Sequence, residues 1–521
     1  MQTQINQYTK ELFKYFIKEE KKLQKQGLTV NPIVSEIASW YEKLRNAMEY
    51  RQDEVLLQST ILRIIKRRIL LGGGKGVAGP LVRELIWARY LPDGSVTEDL
   101  IHASQDKIDT YLKLRRYIID NKILKDGEAT KLVYDLLSSD LENLLNPRPD
   151  REAMSNYIFH ALHPNITLEN ETEDTLNIQL FIAIRRSYTK DNLALLRFNL
   201  FKQYFGGVTS DSFEKVSSGF SEAHSSIERA IEHPLRYKIA NYVKRYIPPF
   251  LILEDIIRTQ EGNIYTLLEN EEEFSNVVIS TCEKKYSGIA SKVRRAIVRS
   301  VVFILISKVL FAFVIEGTYE KYAYGHIQWL TLGLNIIAPV SLMIIASFFI
   351  TTPNRSNSLR ILHAIRELML SNEPRIGYSI TFQDPSKKKN TLSDIIFAVL
   401  WFATFLISFG FIVFVLTKLD FNIVSQGIFL FFIAIVSFLS YRISQTAHIY
   451  TLEDKQSIKT LVADFFFLPV ARVGMYLTEG ISQVNIILFL FDFVIETPFK
   501  GLFGFFDQWF LYLHSKRENL E

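Results

Sequence analysis

Four long apolar runs in the second half of the chain constrain its fold more than any other feature. The first, 301–315, follows Arg294, Arg295 and Arg299 directly; the second, 329–350, holds Asn335 and Pro339 but no charge. The third, 395–416, is uncharged and includes Trp401 and Gly410, and the fourth, 423–441, carries Gln426 and Gly427 near its start. A helix needs about 20 apolar residues to cross a hydrocarbon layer of about 30 Å. With helical flanks the runs predict spans at 298–317, 329–350, 395–416 and 423–441. One such run can be a core helix of a soluble protein, but four in succession read as membrane helices, whose backbone polar groups are satisfied internally.

Charge divides the chain at the same place. Of the 60 basic and 56 acidic residues, 42 and 40 fall in 1–295, leaving 18 and 16 for 296–521. A chain that is 48% hydrophobic is not intrinsically disordered. A net charge of +4, spread evenly over both parts, argues against nucleic acid as the main partner.

The loops orient the spans. The connections 316–328 and 417–422 carry one Lys each, whereas 351–394 carries Arg355, Arg360, Arg366, Arg375, Lys387, Lys388 and Lys389. The approach to the first span adds Lys284, Lys285, Lys292, Arg294, Arg295 and Arg299. Excess Lys and Arg mark the cytoplasmic side. The expectation is a multi-pass protein of a cell membrane with both termini cytoplasmic. The start contains no apolar signal core and is too acidic for a transit peptide, which favours a bacterial inner membrane. With this topology the acceptor patterns at Asn165 and Asn170 are chance matches for glycosylation. The single cysteine, Cys282, excludes an intramolecular disulfide framework.

Residues 1–295 read as a large helical cytoplasmic region. Apolar residues recur at three- and four-residue spacing, as at Ile33, Ile37, Trp40 and Leu44, and no alternating run argues for a sheet. Breaks are expected at 72–79, 92–94, 146–149, 163–175 and 206–226, with loose sub-boundaries at 145–175 and 206–226. The glycine cluster 72–79 fails as a phosphate loop, because Lys75 is followed by Gly76 and not by Ser or Thr; a helix–helix turn is the reading. Basic clusters at Arg63, Lys66, Arg67 and Arg68, at Lys113, Arg115 and Arg116, and at Arg185 and Arg186 read as solvated helix faces. In 234–258, Arg236, Lys238, Lys244 and Arg245 mix with Tyr and aliphatic residues. That pattern suits a helix on an anionic lipid surface, with an amphipathic core helix as the equal alternative. Arg294, Arg295 and Arg299 are candidates for the same surface. His160 and His163 lack a third ligand at metal spacing, so no metal and no cofactor is expected.

Lys308 is the most conspicuous residue of the first span. A charged Lys at the bilayer centre costs about 2.5–3.5 kcal/mol on insertion scales, so it should face a partner or a water cavity. Candidate partners are Glu316, two turns along the same helix, and Asp492 or Glu496. The functional reading is an ion or proton pathway; the plain reading is a structural lysine that ties helices together. Asn335 and Pro339 offer a kink whose freed carbonyl coordinates a ligand; helix packing is the preferred reading, since Pro is tolerated in membrane helices. Ser307, Ser341, Ser347, Thr404, Ser408, Ser425 and Ser437 read as close-packing residues. Past residue 443, apolar amphipathic helices are expected, interfacial or re-entrant, with Asp492, Glu496 and Lys500 on one polar stripe.

The fold class expected is therefore all-α: a polytopic helical membrane protein of four spans, with a large N-terminal region and C-terminal interfacial helices. No catalytic motif is found. The expected function is a membrane-anchored scaffold that binds a protein partner on the cytoplasmic side, or assembles as a homo-oligomer. The alternative is an oligomeric channel or transporter with a polar path around Lys308, Asn335, Asp492, Glu496 and Lys500.

Overall fold

The structure, a computed structural model, describes residues 5–16, 27–49, 56–72, 76–383, 391–452 and 458–483, together with Phe505, Phe506, Trp509, Tyr512 and Leu513. The chain is all-α, and among the described residues four helices are long and apolar enough to cross a membrane. It forms two compact units.

The first unit holds Ile5–Lys244 and Ser371–Gln383. Its helices begin with α1 (Gln7–Phe16), α2 (Pro32–Glu49), α3 (Leu56–Gly72) and α4 (Ala78–Trp87). Then come α5 (Glu98–Asp120), α6 (Asp126–Leu145), α7 (Pro149–Leu162) and α8 (Glu173–Ile184). A π-helical turn, Arg185–Thr189, leads to α9 (Leu193–Phe205), α10 (Phe213–Ile231) and α11 (Arg236–Tyr246). Local chemistry sets the boundaries. Pro149 opens α7 at a position where its missing N–H is not needed. Asn192 caps α9 by accepting the N–H of Leu195, and Gly206 ends that helix in the left-handed region at φ 76°. One apolar core, including Ile61, Leu85, Tyr111, Leu137, Phe201 and Phe220, joins α2 through α6 and α8 through α10.

Two features depart from the sequence expectation. The Ser/Gly-rich stretch expected as a break at 206–226 is helical from Phe213 onward, because Val216, Phe220, Ala223, Ile227 and Ile231 give α10 a buried stripe that outweighs its weak formers. Two three-residue strands, β1 (Ile166–Leu168) and β2 (Ile380–Phe382), pair in parallel, with Thr167 and Thr381 joined through their hydroxyls at 2.8 Å. They are too short for an alternating pattern to register.

The second unit holds Arg245–Leu370 and, among the described residues, 391–452 and 458–483. It contains α12 (Pro248–Gln260), α13 (Ile264–Glu269) and α14 (Glu271–Phe311). A second π turn, Ala312–Glu316, carries α14 into α15 (Gly317–Tyr324), so that the helical run from Glu271 to Tyr324 is continuous. It continues with α16 (Trp329–Phe348), α17 (Arg355–Leu370), α18 (Thr391–Lys418), α19 (Ile423–Ala447) and α20 (Ile458–Gln483).

The bundle is built on narrow seams. Val278, Cys282, Tyr286, Ile289 and Val293, then Ile304 and Lys308, are buried along α14. Leu332, Asn335, Pro339 and Met343 are buried on α16, and Ser425, Phe429, Phe432, Val436, Ser440 and Ile443 on α19. The recurrence at three and four residues turns one stripe of each helix inward. The other faces stay apolar and uncovered: Phe303, Ile306, Leu310 and Val314 are exposed, and only 17% of the apolar window of the first span is buried. Uncovered apolar surface on this scale suits hydrocarbon as the surrounding solvent. At the foot of α14, Asn357 of α17 donates to the Tyr286 hydroxyl at 2.7 Å and to the carbonyl of Tyr450 at 2.8 Å. α20 runs back along α19 so closely that a Cβ at Gly474 would collide with the Ala434 carbonyl.

Candidate functional site

Four polar residues, Lys308, Glu316, Asn335 and Ser425, meet inside the bundle. Lys308 and Glu316 are eight residues apart, which on an unbroken α-helix leaves them about 80° apart around the axis. The π turn Ala312–Glu316 takes up about one residue and returns the two side chains to one face. The Lys308 ammonium then reaches Glu316 Oε1 at 2.6 Å, with both side chains fully buried. The same ammonium lies 5.1 Å from the centre of the Phe432 ring, a cation–π contact from α19.

The second carboxylate oxygen is held from two other helices. Glu316 Oε2 accepts from Asn335 Nδ2 at 2.5 Å and from the Ser425 hydroxyl at 3.4 Å, and Asn335 Nδ2 also donates to the Ser425 carbonyl at 3.3 Å. Asn335 is fully buried and its Oδ1 has no hydrogen-bond partner. One turn beyond Glu316 stands a second fully buried acid, Glu320. It accepts from Asn422 Nδ2 at 3.0 Å and from the backbone N–H of Gln328 at 2.9 Å. Asn422 is also the N-cap of α19, its Oδ1 accepting the N–H of Ser425 at 2.8 Å. Both acids thus cluster at the positive end of α19, where the helix dipole favours negative charge. Only Glu316 is paired with the ammonium, Glu320 being held by neutral donors, and in a low dielectric an uncompensated charge is expensive. The arrangement can bind a cation or relay a proton; among the described residues, no group of three or more His, Cys, Asp or Glu can hold a metal ion.

Of the residues singled out in the sequence, Lys308, Asn335 and the partner Glu316 are brought together. Asp492, Glu496 and Lys500 lie outside the described residues. Lys238 and Lys244 are exposed on α11, and Arg236 and Arg245 are half-buried, Arg236 lying over the Tyr237 ring at 4.8 Å. The other face of that helix packs inside the protein: Ile239, Tyr242 and Val243 are buried, and the Tyr242 hydroxyl donates to the Tyr378 carbonyl at 2.7 Å. Arg294, Arg295 and Arg299 are exposed on α14, just before its apolar part.

The clusters read as solvated faces are largely ion-paired. Arg63 pairs with Glu42 at 2.8 Å, and Arg67 pairs with Glu84 at 2.5 Å, an acid that Arg68 also engages. Arg185, only 6% exposed, joins Asp191 at 2.7 Å and Glu152 at 2.6 Å. Sequence reasoning missed Glu320, Asn422 and the bonding role of Ser425. A capping signal, Asn422 three residues before Ser425 at the head of an apolar run, was available to flag the last two. No protein-family model, curated protein or solved structure matches this chain, so its function is argued from the site alone.

Proposed function

We propose that the protein moves protons or small cations across a membrane, with the Lys308–Glu316 pair as the site at which the moving charge is held. The observation that carries this reading is a fully buried ion pair joined to Asn335 and Ser425, inside a bundle whose outer faces are apolar. Ionisable groups at such depth cost several kcal/mol and are kept where charge moves. The basic residues Arg294, Arg295, Arg299, Arg355, Arg360 and Arg366 support a cytoplasmic position for the adjoining ends of the spans, in a cell membrane of the bacterial inner type. Glu320 then stands toward the outer surface and Lys308 deeper. Inward of Lys308 the seam is closed by Val293, Ile304, Met343 and Val436, which suits a gated path more than an open pore.

Purified full-length protein in liposomes should dissipate an imposed pH gradient, and Lys308→Met should reduce that flux at least tenfold. Equal flux from both proteins would overturn the proposal. Orientation has its own test, since Cys282 is buried and leaves a clean background. Tyr322→Cys, at a site 92% exposed, should react with an impermeant thiol reagent outside intact cells, whereas Arg294→Cys should not.

A second reading, a scaffold acting through the helical first unit, is favoured by one surface. Ile33, Ile37 and Trp40 form an exposed apolar stripe on α2, with Trp40 64% exposed. Such a stripe suits a protein partner or a second copy of the chain. Trp40→Ser should then remove a protein that co-purifies with the native chain, and unchanged co-purification would sink this reading.

A further inference from the structure

The amide of Asn335 makes the site legible as a coordination shell. Its Nδ2 donates to two oxygens, Glu316 Oε2 and the Ser425 carbonyl. With no cation between them, reversing the amide would set Oδ1 against a carboxylate, so the partners hold Nδ2 toward them; a bound cation would remove that repulsion and let the amide turn over. Oδ1 is left as a fully buried acceptor without a donor, which costs about 1–3 kcal/mol if nothing binds it. Pro339, four residues on, withholds the N–H that the Asn335 carbonyl would otherwise receive. Ser425 adds a hydroxyl and a carbonyl, and Glu316 adds the one negative charge. With the Asn335 amide turned over, oxygen donors from three elements and a single carboxylate would suit a dehydrated monovalent alkali cation. A divalent ion of the calcium or magnesium type would demand more negative charge or bound water.

Lys308 already supplies a positive charge to this shell. Its ammonium has three donors, and the structure gives it one hydrogen-bond acceptor, Glu316 Oε1, with the Phe432 ring beneath. A long flexible side chain held by one bond can leave without dismantling the shell. We propose that the site exchanges one proton for one monovalent alkali cation, the Lys308 ammonium being the tethered occupant. When the alkali cation reaches Glu316, Asn335 and Ser425, the ammonium releases its proton to water and the neutral amine swings aside; the reverse step reprotonates the amine and expels the cation. One positive charge leaves as one enters, so the buried shell never changes its net charge, which keeps the step affordable in lipid. The groups facing Lys308 suit this exchange. Glu316 pairs with it directly, Glu320 stands one turn on, and α16 carries no ionisable side chain. α19 carries only Tyr441 and Arg442, near its other end.

This inference rests on the charge-moving reading above and is tested so that the two can fail separately. Native full-length protein is reconstituted in liposomes with an acidic lumen and a luminal pH dye, and NaCl, KCl or choline chloride is added outside. Alkali chloride should raise luminal pH at least tenfold faster than choline chloride, with no change when a membrane potential is imposed. Proton flux that ignores the cation, or follows the imposed potential, overturns the exchange and leaves the charge-moving reading standing. If no flux of either kind occurs, that reading falls and the shell is judged by thermal unfolding. Lys308→Ala should then unfold about 3–5 °C higher in NaCl or KCl than in choline chloride, and Lys308→Ala with Glu316→Gln should show no difference. Should Lys308→Ala not survive purification, Lys308→Gln replaces it with the same expectation, and a variant indifferent to the salt overturns the cation site.

Discussion

Among the described residues, each unit buries one basic side chain at or near a π turn, Arg185 and Lys308, and the two are satisfied very differently. In the first unit Arg185 spreads its guanidinium over two acids, donating to Asp191 at 2.7 Å and Glu152 at 2.6 Å. Both oxygens of Asp191 are in turn filled, Oδ1 by the Thr189 hydroxyl at 2.7 Å and Oδ2 by Asn199 at 2.9 Å as well as by Arg185. In the bundle, Lys308 has one acceptor and Asn335 Oδ1 has no donor. A saturated network rigidifies its surroundings, whereas a partly met one keeps sites for something else to occupy. The chemistry of the two cations matches this contrast: the guanidinium stays charged and forks rigidly, while the ammonium is a flexible point charge that can give up its proton.

The contrast can be broken by four measurements. The largest difference concerns transport: Lys308→Met should lower liposome flux at least tenfold, whereas Arg185→Ala should leave flux per inserted molecule within about twofold. A comparable loss from both would erase the distinction. Stability should run the other way. Arg185→Ala strands Asp191 among buried groups and should cost about 3–5 kcal/mol in denaturant unfolding of the full chain. Asn335→Ala removes an amide half of which has no partner and should cost about 1–2 kcal/mol.

The third measurement concerns pH. Burial pushes the Glu142 carboxyl up to about 7, reinforced by Asp191 and opposed by Arg148, Arg151 and Arg185, and its Oε2 has no hydrogen-bond partner. Because the folded chain holds this proton more tightly than the unfolded one, Glu142 favours folding in acid. Its contribution is complete below the ordinary value of 4.5 and is lost as pH rises through about 7. The change should reach about 3 kcal/mol at most, and Glu142→Gln should flatten that slope in unfolding titrations. The smallest effect is expected at Trp40: Trp40→Ser, on an exposed face, should change stability by less than about 0.5 kcal/mol.

Much of the bundle was legible in the sequence because lipid demands long uncharged runs, and a lysine inside one of them stands out against that background. Asn335 and Pro339 were legible for the same reason. Glu316 was named as a partner on distance along the helix alone; the alignment itself depends on a π turn, which carries no sequence signature that separates 312–316 from ordinary helix. Glu320 and Asn422 were hidden because the ends of apolar runs read as loops, where polar residues are unremarkable. Ser425 read as a packing residue, since a hydroxyl in a membrane helix usually serves that end. In the first unit the arginine clusters read as solvated because their acids lie far away in sequence: Glu42 is 21 residues from Arg63, and Glu152 is 33 from Arg185.

The continuous helix from Glu271 to Tyr324 has 54 residues, about 80 Å at the usual rise, more than twice the depth of the hydrocarbon layer. Such a rod bends least where its hydrogen-bond ladder is regular and most where the ladder is faulted, and its fault is the turn 312–316. A sideways load at its distant foot is therefore concentrated on the very turn that presents the carboxylate to its amine. A bend at that turn would change the angle at which Glu316 meets Lys308, so the helix's weakest point and its buried ion pair coincide.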